Sequence, residues 1–411
     1  MKRKDNIVVG LDIGTSKTCC IVGEETESGV DIIGVGTYPS KGLKKGVVIN
    51  IEATVVGIKK AVEEAELMAG CEINTVYAGI AGAHIKSLNS HGIVAIKDKE
   101  VTDQDIVRVL DAAQAIAIPM DREVIHIIPQ EYIIDDQDGI REPRGMSGVR
   151  LAAKVHVVSG AVTSAQNIIK CCHQTGLSVA DIVLQPLASS EAVLTTDEKE
   201  LGVLLIDMGG GTTDIAVYRN GSVQHTAVLS VGGDHITRDI AIGLGTPTSD
   251  AEKIKQRHGH AFPPDLNSEE TIEVPSVGGR KARKVPRTML ADIIAPRVEE
   301  IFSLVARELD RASVRERLPA GIVITGGSTR LAGVTEMAER VFGTQVRLGI
   351  PDQVRGLTDG VKSPIYSTGV GLVLFGMNRR KQSQLRDGPV SNQGLYTRVK
   401  SRMGDWLGAF F

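Results

Sequence analysis

Two segments of the chain share a plan that no single strand or turn needs twice. Ile7-Val8-Val9-Gly10-Leu11-Asp12-Ile13-Gly14-Thr15-Ser16 and Val203-Leu204-Leu205-Ile206-Asp207-Met208-Gly209-Gly210-Gly211-Thr212-Thr213-Asp214 each run from an apolar stretch into an Asp, then glycine, then hydroxyls. Glycines let backbone N–H groups approach a phosphate oxygen closely, and Thr or Ser hydroxyls add donors. An Asp at the end of such a strand is placed to hold Mg²⁺, largely through water. A polyphosphate gripped from two sides requires the plan twice. The candidate phosphate ligands are therefore Gly14, Thr15 and Ser16 in the first half and Gly209, Gly210, Gly211 and Thr212 in the second, with Asp12 and Asp207 on the metal side.

A third segment, Ile322-Val323-Ile324-Thr325-Gly326-Gly327-Ser328-Thr329-Arg330, again runs from strand through Gly-Gly to hydroxyl and helix. One such turn is more often an ordinary tight turn, but three in one chain favour a nucleotide. No G-x-x-x-x-G-K-[ST] occurs, and no G-x-G-x-x-G opens a βαβ unit, so neither a Walker site nor a dinucleotide fold fits. With 411 residues, 42% hydrophobic and 24% charged, the chain is long enough for two α/β cores. A net charge of −3 gives no reason to expect nucleic acid. Of five cysteines, four lie in the adjacent pairs Cys19-Cys20 and Cys171-Cys172, which reads as reduced, buried thiols rather than a disulfide framework.

Periodicity predicts strands near 18–22 and 30–37, a helix over 51–69 with Gly70 as its stop, and a strand over 75–81. A block with its own pattern follows: strand 92–96, helix 102–117 opened by Thr102 and Asp105, and strands 124–128 and 149–159. The first core resumes with helix 163–175, strand 179–184 and helix 186–194. The second half repeats the order, with strands 202–207, 214–218 and 222–229, a helix from Asp234, a Gly/Pro- and charge-rich insert over 245–288, helix 289–310 and strand 322–325. The duplication predicts two α/β lobes with the nucleotide in a cleft between them.

These motifs resemble those of the actin/Hsp70/sugar-kinase ATPase superfamily. The resemblance implies an actin-like (ribonuclease H-like) two-lobe ATPase fold that binds ATP and Mg²⁺. Asp12-Ile13-Gly14-Thr15 and the Asp207–Thr212 segment look like its two phosphate motifs, and Thr325-Gly326-Gly327-Ser328 looks like its adenosine motif. Gln185 stands where hydrolysing members orient the attacking water, so the catalytic set would be Gln185, Asp12 and Asp207. In Ala251-Glu252-Lys253-Ile254-Lys255, Glu252 and Lys255 would reach the ribose and adenine. Only about a dozen residues separate the third strand from the first helix, too few for the small subdomain that actin carries there; the insertion instead follows strand 75–81. That placement is similar to the FtsA family of bacterial cell-division proteins, as are Ile128-Pro129-Gln130-Glu131-Tyr132, Gly148–His156 and Val274–Arg280.

The resemblance implies first-lobe residues 6–84 and 162–200, an insertion subdomain at 85–161, second-lobe residues 201–236 and 301–377, and a second insertion at 237–300. It implies filaments on the cytoplasmic face of the inner membrane at the division septum. Its partners would be other copies of the chain, the FtsZ C-terminal tail through Arg297 and Glu300, and later division proteins through residues 84–161. ATP turnover in the family is weak or variable. The tail has its own signature: four of the thirteen aromatics (one Trp, six Tyr, six Phe) fall within residues 396–411. Residues 378–393 read as a polar linker. Beyond it, Leu395, Val399, Met403, Trp406, Leu407 and Phe410 form one stripe of an amphipathic helix flanked by Arg398, Lys400 and Arg402, suited to lie on anionic membrane lipid. The competing readings are a related pilus-assembly actin homologue, a small-molecule kinase of the superfamily, and an Hsp70-like chaperone, for which the residues after Phe375 are too few.

Overall fold

The computed structural model describes residues 6–27, 29–262, 270–278, 280–315 and 318–385. β1 (Ile7–Ile13), β2 (Lys17–Thr26) and β3 (Gly29–Pro39) form an antiparallel meander. Helix α1 (Ile51–Ala69) occupies the residues its pattern predicts, because both ends carry strong signals. Asn50 Oδ1 accepts from the Ala53 N–H at 2.9 Å, and Gly70 closes the helix at φ 64°. β4 (Thr75–Ile80) returns parallel to β1.

The chain then leaves this core for β5 (Lys86–Ala95), α2 (Asp103–Gln114), β6 (Arg122–Ile134), β7 (Gln137–Ile140) and β8 (Arg150–Ala161). Their antiparallel sheet has the order β5-β8-β6-β7. Thr102 and Asp105 form the expected capping box on α2. Gly92 lets α2 lie directly on β5, since a Cβ there would meet Val109 O at 2.3 Å. This sheet and helix bury their own core, with Val109, Ala113, Leu151, Ala153 and Val155 at its centre.

The first core is completed by α3 (Val162–Gln174), β9 (Ser178–Leu184) and α4 (Gln185–Val193). The second is opened by β10 (Val203–Met208), β11 (Thr213–Arg219) and β12 (Ser222–Leu229), followed by α5 (Gly233–Leu244) and α6 (Thr248–His258). A hairpin of β13 (Thr271–Val274) and β14 (Arg283–Pro286) leads into α7 (Arg287–Arg311). β15 (Ile322–Thr325), α8 (Val334–Phe342) and β16 (Val346–Leu348) finish the second sheet. β17 (Arg355–Gly356) then pairs with β3, and α9 (Ser367–Leu385) is the last described element. The sheets run β9-β4-β1-β2-β3-β17 and β12-β11-β10-β15-β16. Apart from β17 the two orders match strand for strand, so the predicted duplication is present. β10 is buried along its whole length, as a central strand covered on both faces must be.

The described residues form two compact units: residues up to Ala81 with Val162–Val193 and those from Ile350, and Gly82–Ala161 with Leu194–Gly349. The sequence reading put residues through 377 in the second lobe, whereas α9 packs in the first unit. Small residues explain this. A Cβ on Gly10 would lie 2.5 Å from Gly369 O, and one on Gly371 would lie 1.8 Å from Ala188 O, so glycines let α9 rest on β1 and α4. The linker expected from Asn378 is also helical as far as Leu385. Arg379 pairs with Asp181 at 3.9 Å and stacks over Phe375, while Lys381 pairs with Glu25 at 3.4 Å. The expected membrane helix, with Leu395, Val399, Met403, Trp406, Leu407 and Phe410, lies outside the described residues.

Candidate functional site

In the first unit, β1 carries Asp12 to the end of the sheet, where its side chain is nearly buried. The turn that follows closes through Gly14 N–H to Lys17 O at 3.0 Å. A Cβ on Gly14 would lie 2.8 Å from that carbonyl, so only glycine fits the turn. Thr15 Oγ1 accepts from Gly46 N–H at 3.1 Å. Gln185, the first residue of α4, reaches back to the same turn, and its Nε2 donates to Asp12 Oδ1 at 3.0 Å. Gly79 on β4 leaves room for it, since a Cβ there would come within 3.2 Å of Gln185 Cγ. The structure thus brings Asp12, Gly14, Thr15, Ser16 and Gln185 together. Lys17 points elsewhere: its Nζ donates to Ile365 O at 2.7 Å and sits 4.2 Å from the Tyr366 ring centroid.

In the second unit, β10 places Asp207 between Asp214 on β11 and Thr325 on β15. Its turn closes through Gly209 N–H to Thr212 O at 2.9 Å, and Thr212 Oγ1 donates to Asp214 Oδ2 at 2.9 Å. Helix α5 begins against this turn. Gly233 N–H donates to Gly209 O at 3.0 Å and Asp234 N–H to Gly210 O at 2.8 Å. Ser328 Oγ donates to Gly209 O at 2.8 Å, which ties the third glycine segment to the second. Gly326 has φ 92°, and a Cβ on it would lie 2.3 Å from Asp207 Oδ1.

Helix α6 adds the residues expected near the nucleoside. Lys255 Nζ donates to Gly233 O at 3.1 Å and Thr237 Oγ1 at 2.8 Å, and pairs with Glu252 at 2.7 Å. Burial pushes the Glu252 carboxyl up, but Lys255, Thr237 and Gln256 outweigh it and hold the group below its ordinary value. One unit therefore gathers Asp207, Gly209–Thr212, Glu252, Lys255 and Gly326–Ser328.

Gly232 and Gly233 are residues the sequence reading passed over. A Cβ on Gly232 would meet the carbonyls of Gly209, Gly210 and Thr212 at 2.6–2.9 Å, and one on Gly233 would meet Ser328 Oγ at 2.3 Å. The available signal was a further Gly-Gly between an apolar strand and a helix. Arg297 and Glu300 lie elsewhere, on α7. Arg297 Nε donates to Asp239 Oδ2 at 2.6 Å and its NH2 to Asp239 Oδ1 at 3.2 Å, while NH1 binds Glu300.

Residues 204–371 match the sequence profile described as cell division protein FtsA, and residues 82–159 match the SHS2 domain inserted in FtsA. The cell division protein FtsA of Pseudomonas aeruginosa is 56% identical over 375 residues, which cover 91% of this chain and 90% of that one. This chain belongs to the FtsA family of cell division proteins. The Escherichia coli K12 member is 45% identical over 409 residues, covering 98% of this chain and 96% of its own. Among solved structures, the PilM-PilN type IV pilus biogenesis complex matches with TM-score 0.66 at 17% identity, over 90% of this chain and 98% of that chain. MreB5 of Spiroplasma citri bound to ADP matches with TM-score 0.57 at 14% identity, over 93% and 99%. At such identities these structures speak for the actin-like fold alone. The sequence matches assign the chain to FtsA rather than to a pilus-assembly homologue.

Proposed function

We propose that this FtsA-family protein binds ATP with Mg²⁺, assembles with its own copies on the cytoplasmic face of the membrane at the septum, and tethers FtsZ there. The observation that carries the nucleotide reading is the repeated cradle: two strands that each deliver a buried Asp into a glycine turn, closed by Gly14 N–H to Lys17 O in one and Gly209 N–H to Thr212 O in the other. The residues fit the group. Gly14, Thr15 and Ser16 would hold phosphate on one turn and Gly209, Gly210, Gly211 and Thr212 on the other, with Gly326, Gly327, Ser328, Glu252 and Lys255 toward the nucleoside. Bound Mg²⁺ would offset the phosphate charge, with Asp12 and Asp207 holding its waters. Gln185 is kept in place by Asp12, where an amide can orient a water for slow hydrolysis. Asp207→Ala should weaken Mg-ATP binding by about 10–100-fold, the usual cost of losing a residue that supports a metal. Calorimetric titration measures it, and an unchanged affinity overturns the assignment.

The FtsZ tail is acidic and apolar, which suits Arg297 as a charge-assisted partner. The Arg297 guanidinium is paired with Asp239 and Glu300 in the structure, so an acidic tail would have to share or displace these carboxylates. Later division proteins would bind the first insertion. No described helix is long and apolar enough to cross a membrane, so in this reading residues 395–411 supply the attachment.

A further inference from the structure

The C-terminal end of α1 opens into a groove of ≈ 500 Å³ lined by Glu63, Glu66, Leu67, Gly70, Cys71 and Glu72. Leu67, the one large apolar side chain in its lining, is 85% exposed. Glu66 Oε1 accepts from Ile73 N–H at 2.7 Å and so builds the wall, while Glu63 is shared with Lys60 and Lys59. An exposed leucine flanked by carboxylates fits the apolar face of a basic amphipathic helix.

The chain supplies such a segment, and the helix that precedes it ends at the same end of the sheet as the groove. Gly34 and Gly36 on β3 pack against α1, while Gly10 and Gly23 on β1 and β2 pack against α9, so the two helices lie on opposite faces of one sheet. Both end at the same end of it. Arg379 and Lys381 of α9 reach Asp181 and Glu25, and Ser178, at the start of the strand carrying Asp181, bonds to Asn74 just beyond the groove. The nine residues 386–394 span at most about 30 Å, which sets the reach of the segment.

We propose that residues 395–411 dock in this groove when no membrane is present. Their apolar stripe covers Leu67, and Arg398, Lys400 and Arg402 face Glu63 and Glu72. The inference rests on the reading of this tail as an amphipathic anchor. One apolar face serves either the groove or the lipid, so docking opposes attachment. A docked state favoured tenfold lowers the apparent vesicle affinity about tenfold.

Cys71 makes the test direct, because the other four cysteines are buried. Full-length Met403→Cys protein is treated with a short bismaleimide, with and without phosphatidylglycerol vesicles. The proposal expects a cross-link within one chain to Cys71, lost in Cys71→Ser and suppressed by the vesicles. It also expects Leu67→Arg in the wild-type background to pellet with the vesicles several-fold better than the wild type. No cross-link, or one only between copies, overturns docking. So does unchanged pelleting of Leu67→Arg. If the wild type and a chain ending at Gln393 pellet equally while the cross-link forms, the anchor reading fails and docking stands as a purely structural contact.

Discussion

At the scale of single residues, the proposed nucleotide turns are defined by what cannot be added to them. Gly326 combines a backbone that L side chains rarely adopt with a Cβ position 2.3 Å from Asp207 Oδ1. Gly326→Ala should therefore cost about 1–3 kcal/mol in stability and displace Asp207 as well. The paired measurement is a thermal melt with a Mg-ATP titration, set against Gly343→Ala. Gly343 also has positive φ, 67°, but faces open space, so its variant should lose stability and keep nucleotide affinity. Equal affinity in both variants would remove Gly326 from the site. The glycine turns are legible in the sequence because the plan of strand, glycine and hydroxyl recurs three times, where a single occurrence would read as an ordinary tight turn. Lys17 shows the limit: its cation lies beside the phosphate turn in sequence, yet bonds to Ile365 O far along the chain.

At the scale of elements, the first insertion attaches to β12 through a polar seam. Ser87 Oγ donates to Thr226 O at 2.7 Å, Gln130 Nε2 to Val223 O at 2.8 Å, and Asn89 Nδ2 to Gln224 O at 3.2 Å. At its centre is His156, with Nδ1 2.7 Å from Asn89 Oδ1 and Nε2 2.9 Å from Thr226 Oγ1. A carboxamide oxygen only accepts, so Nδ1 carries the proton and Nε2 accepts from the Thr226 hydroxyl. Burial, reinforced by His225, lowers the His156 pKa from 6.5 to about 3. The seam is thus strongest above the ordinary value of 6.5 and is lost progressively as pH falls toward 3. Nearby, His225 is itself lowered by burial against the pull of Glu308. Hydrogen exchange should show the β5, β8 and β12 amides opening earlier on acidification than those of β10. Thr226→Val should give the same pattern at neutral pH, and uniform opening would refute the seam's role. α1 was readable to the residue because its caps are local, whereas the seam is not readable at all. Ser87, Asn89, His156 and Thr226 become partners only when two distant segments meet. α9 escaped for a related reason, since its glycines look like helix breakers until β1 and α4 are seen to need them.

At the scale of the whole molecule, the proposed attachment would follow from many weak tails acting together. Six apolar side chains each gain about 1.5–3 kcal/mol on full burial, but an interfacial helix buries them only in part. Three basic residues add about 1 kcal/mol each near an anionic leaflet, opposed by Asp405 and the terminal carboxylate. Ordering the segment and losing its freedom offset much of that sum, so one tail should bind modestly and reversibly. A filament would present its tails at high effective concentration, and avidity would then exceed the single-tail affinity by about 10²–10⁴. Assembly would therefore control membrane residence without altering the tail. Co-sedimentation with anionic vesicles should show wild-type binding rising steeply with protein concentration in Mg-ATP. A chain ending at Gln393 should stay in solution, and Trp406→Glu should bind weakly at every concentration. Raising the salt from low to physiological should weaken the wild type only partly, because apolar burial persists where screened charge does not. If all three proteins pellet alike, the tail is not the anchor. If binding rises only linearly with concentration, a single tail suffices and assembly plays no part in holding this protein at the membrane.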